Sequence, residues 1–518
     1  MATAAAKARI ESTPRPARAL RNALLVVAGL VGLVILVRLV WVRDYDYDEI
    51  SHAHMAWLVS IGEIPYQDFA ANHFPFFWIV MSPLMRILPQ GPVALVLLRG
   101  LALVLNAVFI GALGSLICLE LKPWQRLWAI AYFGVIVFSP TAVQFLIEFR
   151  PDALANALLF SALLWLRLRG SRRPGDGLLG GFLMGLAVMI NTKYLLLPLV
   201  MGAVILALDF RQVRQAWGFA LAIVGGFFGA LAGGVLLLLS WRISIPDAWR
   251  LVVTYNGAVE GSQSFGFGLA GSLLHNPMSY LLILPGFVAC LVMFARRRWF
   301  PKPFEIAIFV FLILNVCMTT RPWKQYTASW LLLAAGLPAR SLPMLAEKLS
   351  LRWQAAMAAG LVAVALFFSI IASHRVPLKF SRAAQDRAMK YVLEHVPTDG
   401  YVLASYFVHP IFRRDALFKT VYDAEPTGVD GLEQFMPELA PGAYGEQFGE
   451  SGYEKNLEDH RPDLILTQAG YTLSEIRAMT QHMKVHGGAY GETQIPGTEL
   501  TVLEKGAQTS AGTVDSGR

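Results

Sequence analysis

Asp48 and His52 stand four residues apart, and Glu49 and His52 three apart, in the run Asp44-Tyr-Asp-Tyr-Asp-Glu-Ile-Ser-His-Ala-His54. On a helix these spacings put acid and imidazole on one face. The run follows directly on an apolar stretch, Ala23 to Val42, interrupted only by Arg38. Charged side chains are costly in hydrocarbon and tolerated just outside it, so carboxylates at a membrane exit are either a solvated stop or a working site. Gly62-Glu-Ile-Pro-Tyr66-Gln-Asp68 and Asn72-His73-Phe-Pro75 follow, and favour a site. Three further polar groups interrupt apolar sequence: Glu148-Phe-Arg-Pro-Asp152, Asn191-Thr-Lys-Tyr194 and Thr320-Arg-Pro-Trp-Lys-Gln-Tyr326. A carboxylate can take a proton from an attacking hydroxyl. Lys and Arg hold phosphate through charge-assisted hydrogen bonds. Carboxylates and cations at one membrane depth point to an anionic substrate and a step that needs a general base.

The elements that position these groups are membrane helices. Of 518 residues, 55% are hydrophobic and only 15% charged, and the mean hydropathy is +0.50. Soluble domains carry roughly 25% charge. Helices of ~20 apolar residues are predicted at 22–42, 92–118, 127–146, 153–169, 177–192, 194–208, 216–240, 279–295, 304–320, 326–339 and 353–373, about eleven spans. Basic clusters precede the first and follow the second, fourth, sixth, eighth and tenth, which places those loops in the cytoplasm. The N-terminus is then cytoplasmic, and loops 43–91, 147–152, 241–278 and 321–325 and everything after 374 face outward. The net charge of +8 follows this topology and is no nucleic-acid footprint. Cys118, Cys290 and Cys317 lie in apolar segments, so no disulfide framework is expected outside the membrane.

Residues 1–21 form a basic cytoplasmic tail, and the first span reads as an uncleaved anchor. Residues 47–62 are predicted to form an amphipathic helix in the interface plane, with Ile50, His54, Trp57 and Ile61 on one stripe and Gly62 as its stop. Phe74–Pro89 fits a helix dipping into the outer leaflet. After the membrane domain, 22–374, residues 375–505 change character to a soluble α/β domain. Its predicted elements are a helix at 383–395 and strands at 402–408, 463–467 and 500–503. Residues 506–518, rich in Gly, Ser and Thr, are expected to form a disordered tail.

Tyr47-Asp-Glu49, Gly62-x-x-Pro65-Tyr66-x-Asp68 and His73-x-Pro75 resemble the first outer loop of the glycosyltransferase C superfamily, on the bacterial branch related to protein O-mannosyltransferases and the lipid A aminoarabinose transferase (glycosyltransferase family 39/83-like). Arg150-Pro-Asp152, Lys193 and Arg321-Pro-Trp-Lys-Gln-Tyr326 resemble later motifs of that group. The resemblance implies transfer of a hexosyl or pentosyl group from a polyprenyl-phosphate donor to a glycolipid, glycan or protein hydroxyl. It implies Asp48 and Glu49 as catalytic, with Asp48 the base. Glu148, Asp152, His52 and Tyr66 would then shape the acceptor and sugar pocket, and Lys193, Arg321, Lys324, Tyr326 and His73 would hold the donor phosphate. It implies a multi-pass protein of the bacterial inner membrane, with its site and C-terminal domain facing the periplasm. No metal or other cofactor is expected to be required, although His52 and His54 leave a divalent ion compatible with the loop.

Blander roles stand beside these. Asp44 and Asp46 read as solvated flanking charges, Asp48 and Glu49 also suit a helix N-terminus, and Asp152 suits an N-cap. Arg99, inside an apolar span, needs a partner, for which a first-loop carboxylate is the candidate. Tyr255, Asn256 and Glu260, in a glycine-bearing loop, suit a flap. A lipid-linked saccharide flippase and an O-antigen ligase or polymerase are the competing functions. A transporter would carry its charges at mid-membrane rather than at the rim.

Overall fold

The computed structural model describes residues 15–69, 71, 73–119, 121–169, 173–204, 217–254, 380–404, 407–417, 450–467 and 473–506, with isolated helical positions between 288 and 371. The expected spans at 279–295, 304–320, 326–339 and 353–373, most of loop 241–278 with its Tyr255, Asn256 and Glu260, and the segment Arg321, Lys324 and Tyr326 lie outside the described residues or are only sparsely covered by them.

Helix α1 (Arg15–Val42) carries the first apolar run. After a short link, α2 (Tyr47–Ile61) starts at Asp46, whose carboxylate accepts the Asp48 N–H at 3.1 Å. It ends at Gly62, where φ is 100°, a left-handed position that costs glycine nothing. Helix α3 (Phe76–Met85) packs against α2 and contains Pro83. Then come α4 (Pro92–Cys118), α5 (Pro123–Val137), α6 (Pro140–Leu146), α7 (Pro151–Arg169) and α8 (Pro174–Ile190). Helix α9 (Thr192–Val204) opens as a 3-10 turn over Thr192–Leu195. Helix α10 (Trp217–Ser240) and the short α11 (Ile245–Trp249) complete this part. Among the described residues α4, α7 and α10 are long and apolar enough to cross a membrane, and the other apolar helices are shorter.

Two sequence-based expectations change here. The span expected at 127–146 is broken into α5 and α6. Pro140 has no N–H to continue the ladder, and the Ser139 hydroxyl caps the new helix by accepting the Ala142 N–H at 3.4 Å. Helix α2 does not lie half in lipid, because every residue from Glu49 to Ser60 is buried. Its surroundings are α3, α4 and the C-terminal part of the chain. Helices α4, α7, α8 and α10 pack in that order. The α8–α10 contact is close because a side chain at Gly181 would overlap the Ile223 carbonyl, and one at Gly226 the Leu178 carbonyl. Small residues at such crossings let membrane helices approach.

The C-terminal part begins with α12 (Arg382–His395), capped by the Ser381 hydroxyl. Strands β1 (Tyr401–Leu403), β2 (Arg414–Asp415), β3 (Leu464–Leu466), β4 (Tyr490–Gln494) and β5 (Thr501–Lys505) form one mixed sheet, order β2-β1-β3-β5-β4. Helix α13 (Glu450–Asp459) precedes β3, and α14 (Leu473–His486) follows it. Strands β1, β2 and β3 are parallel, and β5 runs against both β3 and β4. Val402, Leu464, Leu466 and Val502 pack with Ala388 and Val392 of α12. Leu403 and Ile465 belong instead to the large cluster that continues through Phe412 to Trp57 of α2. The strand expected over 402–408 ends at Leu403. Pro410 cannot donate to a ladder, Ile411 has φ of 68°, and the chain leaves the sheet to reach α2.

Polar contacts fasten the sheet unit to the link before α2. The Gln385 amide accepts the Tyr45 N–H at 2.7 Å and donates to the Tyr45 carbonyl at 2.9 Å and the Phe407 carbonyl at 2.8 Å. The Asp44 carboxylate accepts the Arg382 N–H at 2.5 Å. Asp44 and Asp46 are thus a docking contact and a helix cap rather than solvated charges. Gln385→Ala strands two buried backbone groups of Tyr45. Each such group costs about 1–3 kcal/mol, so the substitution is expected to lower the unfolding midpoint in detergent and to speed proteolysis between the two parts.

Candidate active site

Asp48 and His52 lie on one face of α2, one helical turn apart, and look towards the start of α7. Arg150 there donates a short hydrogen bond from Nη1 to Asp48 Oδ2. The same guanidinium reaches Asp152 Oδ2 at 3.5 Å from Nε. Asp152 also pairs with the Lys193 ammonium, and its Oδ1 faces Asn191 Nδ2 at 3.3 Å and the Tyr194 hydroxyl at 3.5 Å. Asn191 ends α8, and the 3-10 turn after it swings Lys193 and Tyr194 to Asp152. Asp152 sits in the first turn of α7 behind Pro151. Its carboxylate gathers donors from a neighbouring helix end instead of serving as the expected N-cap.

His73 comes from the link between α2 and α3, its ring centroid 5.4 Å from that of His52. Tyr66, with φ of 70°, donates its hydroxyl to the His73 carbonyl at 2.6 Å. It therefore fixes the loop, and its own hydroxyl is committed to that carbonyl. Trp78 of α3 donates its indole N–H to His52 Nδ1 at 3.2 Å, so Nδ1 is the unprotonated nitrogen of that ring. Beside the ion pairs runs a narrow recess lined by Arg150, Asp152, Asn106, Asn156, Phe109 and Leu332.

The electrostatics sort these groups. Burial opposes the Asp48 carboxylate, but Arg150 outweighs it, and the carboxyl is held below its usual range. Burial pushes the His73 imidazole down to about 4, with Arg150 and Lys193 adding to the effect. Burial, with His73 and Arg150, likewise lowers His52. Both rings are therefore disfavoured as cations in this cluster, against the charge that a phosphate-holding role for His73 would call on.

Glu49 and Glu148 depart from the expected site. Glu49 is fully buried and turned from Asp48 towards α4. Its two oxygens accept from Arg99 Nε and Nη2, both at 2.8 Å, and Oε1 faces the Phe149 N–H at 3.4 Å. The partner sought for Arg99 is therefore Glu49, and a carboxylate so engaged does not reach an acceptor. Glu148 is also fully buried and accepts from Arg43 at 2.8 Å. Burial pushes its carboxyl up to about 8 against the pull of Arg43. It does not line the recess. Arg150, by contrast, was not singled out from sequence as a site residue, yet it joins both acids of the cluster. Its position between Glu148 and Asp152 in one short loop was the available signal.

A set of apolar helices with charged side chains gathered at one end, joined to a mixed α/β sheet unit, defines a polytopic membrane fold with a largely buried polar site. The same overall fold is seen in solved structures of low sequence identity. ArnT from Cupriavidus metallidurans in the apo state superposes with a TM-score of 0.61 at 11% identity, covering 93% of this chain and 98% of that one. ArnT bound to undecaprenyl phosphate gives 0.58 at 12% identity, covering 92% and 97%. The archaeal oligosaccharyltransferase AglB from Archaeoglobus fulgidus, in complex with an inhibitory peptide and a dolichol-phosphate, gives 0.52 at 13% identity, covering 88% and 70%. No protein-family model matches the sequence, and no curated protein does.

Two outcomes follow. Glu49→Ala leaves Arg99 charged and unpaired in the core and is expected to destabilise by about 3–5 kcal/mol, measured as a lower unfolding midpoint and lower yield. The milder Glu49→Gln should retain turnover per folded molecule. Folded His73 binds its proton less readily than the unfolded chain, so its contribution to stability is present above 6.5 and is lost as pH falls towards about 4. His52 acts in the same direction. Thermal unfolding across that window should show the midpoint dropping with acid, and His73→Gln with His52→Gln should flatten the slope.

Proposed function

We propose that this protein is an integral-membrane glycosyltransferase that moves a sugar from a polyprenyl-phosphate donor to an acceptor hydroxyl of a glycolipid, glycan or protein. The carrying observation is the convergence of Asp48 with Arg150, Asp152 and Lys193 at one end of the helices. The shared fold with ArnT bound to undecaprenyl phosphate and AglB in complex with dolichol-phosphate supports a lipid phosphate as the leaving group.

In this reading the acceptor oxygen attacks the anomeric carbon and Asp48 takes its proton. The bond from that carbon to the phosphate oxygen breaks, and the phosphate leaves with the electron pair. Lys193 and Arg150 stabilise the charge that develops, which is where catalysis must act. Arg321, Lys324 and Tyr326 are assigned to the same phosphate. A single phosphate needs little neutralisation, so side-chain cations serve and no metal is assigned to the transfer step. Asp152 and the neutral His52 and His73 orient the sugar and the acceptor. In the same reading the basic-loop pattern supports an outward-facing site and sheet unit, assigned with the resemblance to the periplasmic side of a bacterial inner membrane.

Arg150 links binding to chemistry. While it holds Asp48, the carboxylate is a weak base. A donor phosphate that takes a share of the guanidinium restores basicity to Asp48 just as the leaving group arrives.

The test uses full-length protein in liposomes with a polyprenyl-phosphate sugar. Asp48→Asn is expected to cut transfer by about 100- to 10,000-fold while donor binding and membrane insertion persist. Lys193→Gln should weaken donor binding itself. Undiminished transfer by Asp48→Asn would remove Asp48 as the base.

A further inference from the structure

We infer that His54, His409 and Asp415 form a binding site for a divalent transition-metal ion, of the zinc type, that staples the sheet unit to α2. The inference stands apart from the proposed transfer reaction and uses none of its residues.

The three side chains come from three separate places: the middle of α2, the turn after β1, and edge strand β2. Their ligand atoms lie within 4.8 Å of one another. Both histidine side chains are fully buried and Asp415 is 9% exposed. His54 Nε2 is 3.2 Å from Asp415 Oδ2, and His409 Nε2 is 3.2 Å from Asp415 Oδ1. Ligands bound at about 2.0–2.1 Å on a tetrahedral ion stand roughly 3.3 Å apart; each histidine–Asp415 contact matches that spacing, on a different carboxylate oxygen, and the set as a whole closes from within 4.8 Å. Two imidazoles and a carboxylate make a donor set suited to zinc, with a water in the fourth position.

The surroundings fit as well. His54 Nδ1 is 2.6 Å from the Ile411 carbonyl oxygen. A carbonyl only accepts, so Nδ1 carries the proton and Nε2 is the ligating nitrogen. Metal-bound histidines are commonly oriented by such a contact. Trp57 stacks on His54 with centroids 5.7 Å apart and closes the site with an apolar wall. Ile411, a β-branched residue, is held at φ 68°. Such strain persists where the surroundings demand it, and here it aims one backbone unit at both imidazoles. The Ile411 N–H points to His409 Nδ1 at 3.1 Å. Loading an ion on His409 Nε2 sends that ring's proton to Nδ1, where it would face the Ile411 N–H donor to donor, so the ring or the Ile411 unit must turn aside. His52, two residues from His54, faces the acidic cluster instead, so the two histidines of α2 serve different sites.

The experiment uses full-length, tag-free protein in detergent, stripped with a chelator and reloaded. Metal analysis should find about one equivalent of Zn2+ per chain. Co2+ should give the visible absorption of a tetrahedral nitrogen and oxygen site, and added Zn2+ should raise the unfolding midpoint. His54→Gln and Asp415→Asn should weaken binding at least roughly tenfold. His482→Gln, in the separate Glu458, His482 and His486 group, should leave the cobalt spectrum unchanged. Should the first two variants fail to fold, the wild-type spectrum decides, beside that of His482→Gln. No tetrahedral cobalt signal, binding unaffected by the first two substitutions, or a signal lost with His482→Gln would each overturn the inference. A metal-free protein would likewise overturn it and leave the cluster as close contacts among the three side chains only.

Discussion

The end of the molecule that carries the charged cluster depends on one guanidinium. Arg99, inside α4, has five N–H groups. Two meet the Glu49 carboxylate, and the others meet the carbonyls of Val40 at 3.3 Å, Arg43 at 2.7 Å and Asp44 at 2.7 Å. Burying an arginine is tolerable only with such complete pairing. The Val40 carbonyl is one of the loose acceptors at the end of α1, and those of Arg43 and Asp44 belong to the link just after it. The same group therefore terminates the first helix, redirects the chain and anchors the opening turn of the second. Where Asp48 points is set by what its neighbour Glu49 holds.

Helix geometry then does the sorting. Successive residues turn by about 100°, so the adjacent acids face different directions. Asp48 and His52 look to the cluster, Glu49 looks to α4, and His54 and Trp57 look to the sheet unit. Trp57 meets Phe412 with ring centroids 6.3 Å apart, and the Tyr45 ring before the helix lies 3.8 Å from the Arg382 guanidinium. A helix so enclosed cannot shift on one face without disturbing the other two. The sheet unit is accordingly part of the support of the charged cluster, and Gln385 binds the two through the Tyr45 backbone.

What sequence made legible was whatever local chemistry decides alone. Gly62 stops α2 where a left-handed residue is needed, Pro92 opens α4, and an arginine in an apolar helix announces a carboxylate elsewhere. The sheet strands were found near Val402, Leu464 and Val502 because alternation and turn residues bracket them. What stayed hidden was long-range. Nothing local separates the roles of Asp48 and Glu49, since only Arg99, fifty positions on, divides them. The amphipathic stripe of α2 suggested a lipid-facing helix because its second covering, from Ile411 and Phe412, lies far along the chain. Arg150 was passed over because an arginine at a helix start resembles any lipid-facing anchor until Asp48 is beside it.

The balance of charge in the cluster bears on how it would work. Asp48 and Asp152 are matched by Arg150 and Lys193, while His52 and His73 are neutral, so these groups carry no net charge among themselves. A monoanionic or dianionic phosphate entering this neutral set of described residues competes for cations already in place. Competition of that kind costs the displaced carboxylates their partners, and a carboxylate that loses a guanidinium becomes a better base. In the proposed reaction the cost falls on Asp48 in the presence of donor, which is where a stronger base is useful. An acceptor arriving first would meet a carboxylate still engaged by Arg150. In the proposed reaction the arrangement thus favours donor before acceptor, and the reason is the Arg150–Asp48 ion pair.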